Sequence, residues 1–136
     1  MTAPPPFALE GVDHVVLLVE DMAAARAFHC GVIGCALEGA LPEYGMLQLR
    51  AGAALIDLVD ISGEAGAWGR PPVAGGRNMD HLCLATGPWD EAALRAHLAA
   101  HDVEIVEEGI RYGARGDALS FYVRDPSGNM IELKGP

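Results

Sequence analysis

Residues 12–18 read V-D-H-V-V-L-L, and residues 79–85 read M-D-H-L-C-L-A. Residues 52–58 read G-A-A-L-I-D-L, and residues 128–133 read G-N-M-I-E-L. Each half of the chain opens on an Asp-His pair entering an apolar strand. Each closes on a strand that carries one carboxylate after a glycine turn. His14 and Asp57 of the first half therefore answer to His81 and Glu132 of the second.

The segments between these landmarks repeat in the same order. Gly11 to Val19 is apolar and β-branched, as a strand requires. Asp21 is placed to cap a helix running to about Val32, which Gly34 ends. Residues 35–41, 44–50 and 54–60 read as three short strands separated by Pro42, Gly45 and Gly52. Residues 61–78 are rich in Gly and Pro without a period and form a linker. In the second half, Asp80 to Thr86 reads as a strand and Asp90 to about His101 as a helix. Val103 to Glu107, Ala118 to Arg124 and Asn129 to Lys134 read as strands. The last two are joined by the D-P-S-G-N turn, in which Pro126 sets the first bend and Gly128 supplies a positive φ.

The expected fold is α+β: two βαβββ modules, about 10–60 and 79–134, in one domain spanning 1–136. Side by side, their strands curve into a cup-shaped mixed sheet with the helices outside.

On a strand, alternate residues share a face. His14 then lies with Val12, Val16 and Leu18, and His81 with Met79, Cys83 and Ala85. Asp57 lies with Leu55 and Val59, and Glu132 with Met130. Lys134 shares the Glu132 face, at the chain end and within reach of water. Acids in such apolar company are costly unless paired or bound to metal. Two imidazoles and two carboxylates are what a divalent cation such as Zn, Ni, Mn, Fe or Co accepts. Because both halves lie in one polypeptide, a site within one chain is the simpler expectation. Asp57 has the shorter arm and reads equally as an outer-shell acid.

Gln48, Arg111, Tyr112 and Arg115 are candidate substrate-facing residues. The last three lie on a loop that is basic in an otherwise acidic chain, where an anionic group could be held. Trp68 and Arg70 in the linker invite the same reading less strongly. His97 and His101 read as a solvated helix edge and His29 as a packing or surface residue. The D-P-S-G-N turn reads as a structural device.

Composition narrows the partners. The chain has 136 residues, 21% of them charged, which suits one globular domain. Nine basic against 19 acidic residues give a net charge of −10. Nucleic acid and anionic membranes need clustered Lys and Arg, so neither is expected as a partner. No apolar run reaches membrane-spanning length. Cys30, Cys35 and Cys83 show no C-x-x-C spacing and read as buried free thiols in a reducing compartment. The N-terminus lacks signal-peptide character, so a cytoplasmic location is expected.

The opening D-H-V-V-L-L-V-E-D, the helix end F-H-C-G-V-I-G, the D-H-L-C-L of the second half and the closing D-P-S-G-N-M-I-E-L together resemble the vicinal oxygen chelate superfamily. That group includes glyoxalase I, bleomycin-resistance proteins, fosfomycin-resistance enzymes and extradiol dioxygenases. The resemblance covers about residues 10–134. It implies a cup with a divalent metal at its centre, where His14, His81 and Glu132 match ligand positions. Asp57 stands where glyoxalase I carries Glu. It also implies a metal-dependent lyase or isomerase acting on a small metabolite that chelates the metal through adjacent oxygens, with Asp57 or Glu132 as the catalytic base. A non-catalytic drug- or metabolite-binding protein and an extradiol-type dioxygenase are the alternatives. Homodimers occur among such proteins, some with the site built across chains.

Overall fold

The computed structural model describes residues 10, 12–69, 79–112 and 114–136. Its first half comprises β1 (His14–Val19), α1 (Met22–Arg26) continued by a wider π-helical segment (Ala27–Val32), β2 (Ala36–Leu41), β3 (Met46–Ala51) and β4 (Ala54–Asp60). Its second half comprises β5 (Leu82–Ala85), α2 (Glu91–Ala100), β6 (Glu107–Arg111), β7 (Ala118–Arg124) and β8 (Met130–Lys134). The α+β class and the doubled strand–helix–three-strand order are as expected. The strands form two four-stranded mixed sheets, ordered β1-β4-β3-β2 and β5-β8-β7-β6. In each, the first strand runs parallel to the last and the remaining pairs are antiparallel.

The helices start by the same device. Asp21 Oδ1 accepts from Ala24 N at 3.0 Å, and Asp90 Oδ1 from Ala93 N at 2.9 Å. Each cap satisfies a backbone donor that the first helical turn would leave unpaired.

Several boundaries differ from expectation: β1 begins at His14, and a short 3-10 turn at Pro42–Tyr44 delays β3 to Met46. The strand expected at 103–107 lies instead at Glu107–Arg111. Val103 and Ile105 alternate because they pack against the core, and that burial alone produces a strand-like pattern. His81 falls just before β5, which begins at Leu82. Residues 61–69 of the expected linker form turns. The rest of it, with Arg70, lies outside the described residues.

One core serves both halves. Leu17, Val19 and Phe28 of the first belong to the same buried cluster as Leu98, Val123 and Ile131 of the second. Polar contacts reinforce the junction. Ser127 Oγ accepts from Glu20 N at 3.1 Å, and His97 Nε2 donates to Val32 O at 2.9 Å. His97 is thus a tether between halves rather than a solvated edge. His29 is fully buried, and its Nε2 donates to Asp125 Oδ2 at 3.0 Å. Asp125 also accepts from Ser127 N, Asn129 N and Asn129 Nδ2, which closes the D-P-S-G-N turn. Gly128 there has φ 82°, a conformation open mainly to glycine. Burial alone would push the Asp125 carboxyl up. The hydrogen bonds from His29 and Asn129 outweigh it and hold the group below the usual carboxylate range. Among the described residues no helix is long and apolar enough to cross a membrane.

Candidate functional site

The face arithmetic holds in register. Asp57 pairs with Val16, two residues beyond His14. Glu132 pairs with Cys83, two residues beyond His81. The flanking strand repeats the match, since Gln48 stands opposite Asp57 and Tyr122 opposite Glu132. Each half therefore presents one imidazole and one carboxylate at equivalent places on its sheet.

The Asp before each histidine has a role that the sequence reading left unassigned. His14 Nδ1 donates to Asp13 Oδ1 at 2.6 Å, and His81 Nδ1 donates to Asp80 Oδ2 at 2.7 Å. A carboxylate on Nδ1 fixes the ring and leaves Nε2 available, the usual arrangement around metal-binding imidazoles; at His81 that Nε2 stands beside Glu132. The signal for it was the repeated D-H dipeptide itself.

The surroundings of the two acids differ. Glu132 is buried and accepts from Ser120 Oγ at 2.6 Å. Tyr122 and Cys83 also hydrogen-bond to it, and His81 Nε2 stands 3.1 Å from its Oε1. Burial would raise the Glu132 carboxyl, but these partners prevail and hold it low. Asp57 is equally buried, yet its Oδ1 has no hydrogen-bond partner. Burial raises its carboxyl above the ordinary range, with the His14 charge offsetting part of the rise. His14 is raised in turn, chiefly by its bond to Asp13; burial lowers it in part, and the Asp57 charge adds a smaller rise.

The other nominated residues are distributed along the two halves. Arg111 is bonded to Glu107 Oε1 at 2.9 Å and lies over the Tyr122 ring, 5.6 Å from its centroid. It reaches Glu132 only through Tyr122. Tyr112 is 84% exposed. Arg115 donates to Thr86 O at 2.9 Å. In the first half, Trp68 Nε1 donates to Tyr44 O, which anchors the start of the linker. Lys134 is 4% exposed, and its Nζ donates to Gly116 O at 2.6 Å, so it does not reach into water. Cys30, Cys35 and Cys83 are free, but only Cys35 is buried as expected: Cys30 is half-buried and Cys83 exposed, because it lies at the groove on edge strand β5. Partial desolvation and the neighbouring Glu132 still push the Cys83 thiol up to about 11.

The fit to a metal is incomplete in one chain. The 3.1 Å between His81 Nε2 and Glu132 Oε1 is about what two ligand atoms keep on a shared cation at ~2.1 Å. The unpartnered Asp57 oxygen is likewise an acceptor awaiting a donor or cation. However, no group of three or more His, Cys, Asp or Glu close enough to hold one ion exists among the described residues. The expectation that all four ligands converge within a chain is not met. Edge strands β1 and β5 belong to different sheets, so each pair stays with its own half. A groove of about 500 Å³ lies between the halves, lined by Val15 and Leu55 on one side and by Cys83 and Thr86 on the other. A second cavity of about 350 Å³, around His101, Glu104 and Arg124, adjoins neither pair.

The family model described as "Glyoxalase/Bleomycin resistance protein/Dioxygenase superfamily" matches residues 11–133. Virulence protein STM3117 of Salmonella typhimurium is 30% identical over 126 residues, covering 92% of this chain and 83% of that protein. Integron cassette protein VCH_CASS1 from the mobile metagenome of V. Cholerae superposes with a TM-score of 0.71 at 27% identity, over 95% of this chain and 97% of the other. A lactoylglutathione lyase from Agrobacterium tumefaciens, 22% identical, superposes with a TM-score of 0.65 over 97% of this chain and 96% of its own. At that identity the lyase shows a common fold.

Proposed function

The chain belongs to the Glyoxalase/Bleomycin resistance protein/Dioxygenase superfamily, and from that premise we propose that it is a divalent-metal-dependent lyase or isomerase of glyoxalase type. Its substrate is a small metabolite that chelates the metal through adjacent oxygens. The working unit is a homodimer in which the His14–Asp57 pair of one copy meets the His81–Glu132 pair of the other. The observation that carries this reading is the matched register of the two pairs. Two half-sets built alike, neither sufficient alone, complete a four-ligand set under a two-fold axis.

When bound, the cation would polarise the two substrate oxygens and stabilise the oxyanion that forms. The protein's own groups divide the remaining work. Asp13 and Asp80 orient the two imidazoles. Glu132 is held by Ser120, Tyr122, Cys83 and His81, so it serves as the fixed anionic ligand. Asp57, with a free buried oxygen, is the acid suited to accept a proton from substrate carbon.

Complementation tests the shared site. His14→Ala and His81→Ala chains each lose both sites of their own dimers. A mixed dimer has one site lacking both histidines and one intact. Random mixing should therefore restore roughly a quarter of wild-type metal binding, and of turnover on a panel of hemithioacetals. No recovery on mixing two folded, dimeric variants would refute the cross-chain arrangement. A dimer that takes no metal, yet binds small apolar ligands equally well after chelator treatment, would establish the non-catalytic binding reading instead.

A further inference from the structure

We propose that Lys134 and Arg115 form a subsite for an oxyanion group, carboxylate or phosphate, on the substrate that the His81–Glu132 pair receives. The proposal rests on reading that pair as part of the substrate site, and it adds the class of compound that the site selects.

Lys134 is the only lysine of the chain. It lies two residues beyond Glu132 on the same face of β8 and stands opposite Ser120, which itself bonds Glu132. It is 4% exposed, and its amino group makes one hydrogen bond, to Gly116 O at 2.6 Å. Among the described residues no carboxylate lies within 4.0 Å of Lys134 or of Arg115. Removing an ammonium from water without a counter-ion costs several kcal/mol on general grounds. Its one bond, to the neutral carbonyl of Gly116, holds the loop but leaves the charge without a counter-ion. The equivalent position of the first half, opposite Met46, is Val59, which fills the place with a side chain that needs no partner. The fold therefore does not require a cation at this point of the repeat.

Arg115 supplies the second charge. One of its nitrogens donates to Thr86 O at 2.9 Å, while Thr86 N and Oγ1 both donate to Lys134 O. The end of β5, the end of β8 and the loop at 114–117 are thereby tied together, with Lys134 buried and Arg115 exposed. Both cations act on the Cys83 thiol, which is exposed, bonds Glu132 and lines the 500 Å³ groove between halves. Cys83 thus marks where the groove comes under the charge of Glu132, Lys134 and Arg115 together. A lysine point charge beside an arginine fork is a common arrangement for oxyanions. In a chain of net charge −10, two such cations left free of acids at one place are a specific device.

Titration calorimetry on the full-length, EDTA-treated protein tests the subsite, with inorganic phosphate and malonate as probes. Wild type should bind at least one of them saturably, and the stronger probe identifies which oxyanion is preferred. Lys134→Met should weaken binding about tenfold, the loss of one charge-assisted hydrogen bond. Arg115→Gln should weaken it about threefold or more, whereas Lys134→Arg should remain within about threefold of wild type. If Lys134→Met does not fold, the Arg115→Gln and Lys134→Arg results decide. No saturable binding to wild type, or equal binding by the folded variants, overturns the proposal. Metal loading of wild type is read separately. Oxyanion binding by a protein that takes no metal supports the subsite while the metal reading fails. Metal uptake without oxyanion binding does the reverse.

Discussion

Glu132 and Asp57 occupy the same place in two copies of one module, yet they live in different chemistry. Glu132 has Ser120, Tyr122, Cys83 and His81 around it. Asp57 has Gln48 opposite it, Val16 beside it and an oxygen with no partner. The residues that make the difference are legible position by position. Met46 stands where the second half has Ser120, Val16 where it has Cys83, and Gln48 where it has Tyr122. The two halves share the His–acid pair and the strand geometry. The shell around the acid has diverged, which leaves one carboxylate finished within its own half and the other open to whatever completes it.

The largest expected effect comes from weakening the junction between the halves. Asp125→Ala removes the anion that faces the fully buried His29 and opens the turn before β8. Removing one member of a buried pair costs about 3–5 kcal/mol. Urea denaturation should show a loss of that order in a single cooperative transition, because both halves share one core. A loss below about 1 kcal/mol, or a first half that melts while β7 and β8 stay protected from hydrogen exchange, would show that the two halves do not stand or fall together.

The next effect separates the two acids. Glu132→Ala leaves Ser120 and its companions without their acceptor, at about 1–3 kcal/mol. Asp57→Asn removes a charge that burial disfavours, so metal-free stability at neutral pH should hold or rise. The pH dependence has opposite signs. Glu132 is held low in the fold, so its contribution is present above the unfolded carboxylate range, near pH 4.3, and is lost as pH falls through the lower folded value. Asp57 is held high, so its ionisation opposes folding above its raised folded value, and that opposition is relieved as pH falls through it. Metal-free stability of Asp57→Asn measured from pH 4 to 8 should lack the second component. Equal losses from the two substitutions at pH 7 would erase the distinction between the halves.

How much of this the sequence carried can be judged from particular residues. The His14–Asp57 and His81–Glu132 relations followed from strand alternation and the repeat, because a period of two fixes which side chains share a face. The D-P-S-G-N turn was equally plain, since Pro126 and Gly128 have few other uses at those positions. What escaped was long-range. Nothing local to His29 indicates that Asp125 faces it across the junction, and Lys134 near a chain end reads as solvated until the loop carrying Gly116 is seen to cover it. The alternation at Val103 and Ile105 misplaced a strand because burial without pairing leaves the same pattern. The convergence of all four ligands in one chain failed for a related reason. A repeat fixes each half internally, but it does not dictate whether a half completes its site with its own neighbour or with another copy.

The smallest effect is also the most direct check on the shell argument. Gln48→Tyr gives the first half the residue that stands opposite the acid in the second, at the position that faces Asp57. A tyrosine hydroxyl there can donate to the unpartnered Oδ1, as Tyr122 does to Glu132. Gly39, opposite Gln48, leaves room beside the larger ring. A net gain of about 0.5–1 kcal/mol is expected in metal-free protein at pH 7, the usual worth of one added hydrogen bond. The donor should also lower the Asp57 carboxyl, because a hydrogen bond to the charged form favours it. The gain should therefore shrink below the carboxylate range, where Asp57 is protonated with or without the new hydroxyl. If the variant is stabilised equally at pH 4 and pH 8, the ring is acting by packing alone, and the missing donor is not what distinguishes the first half from the second.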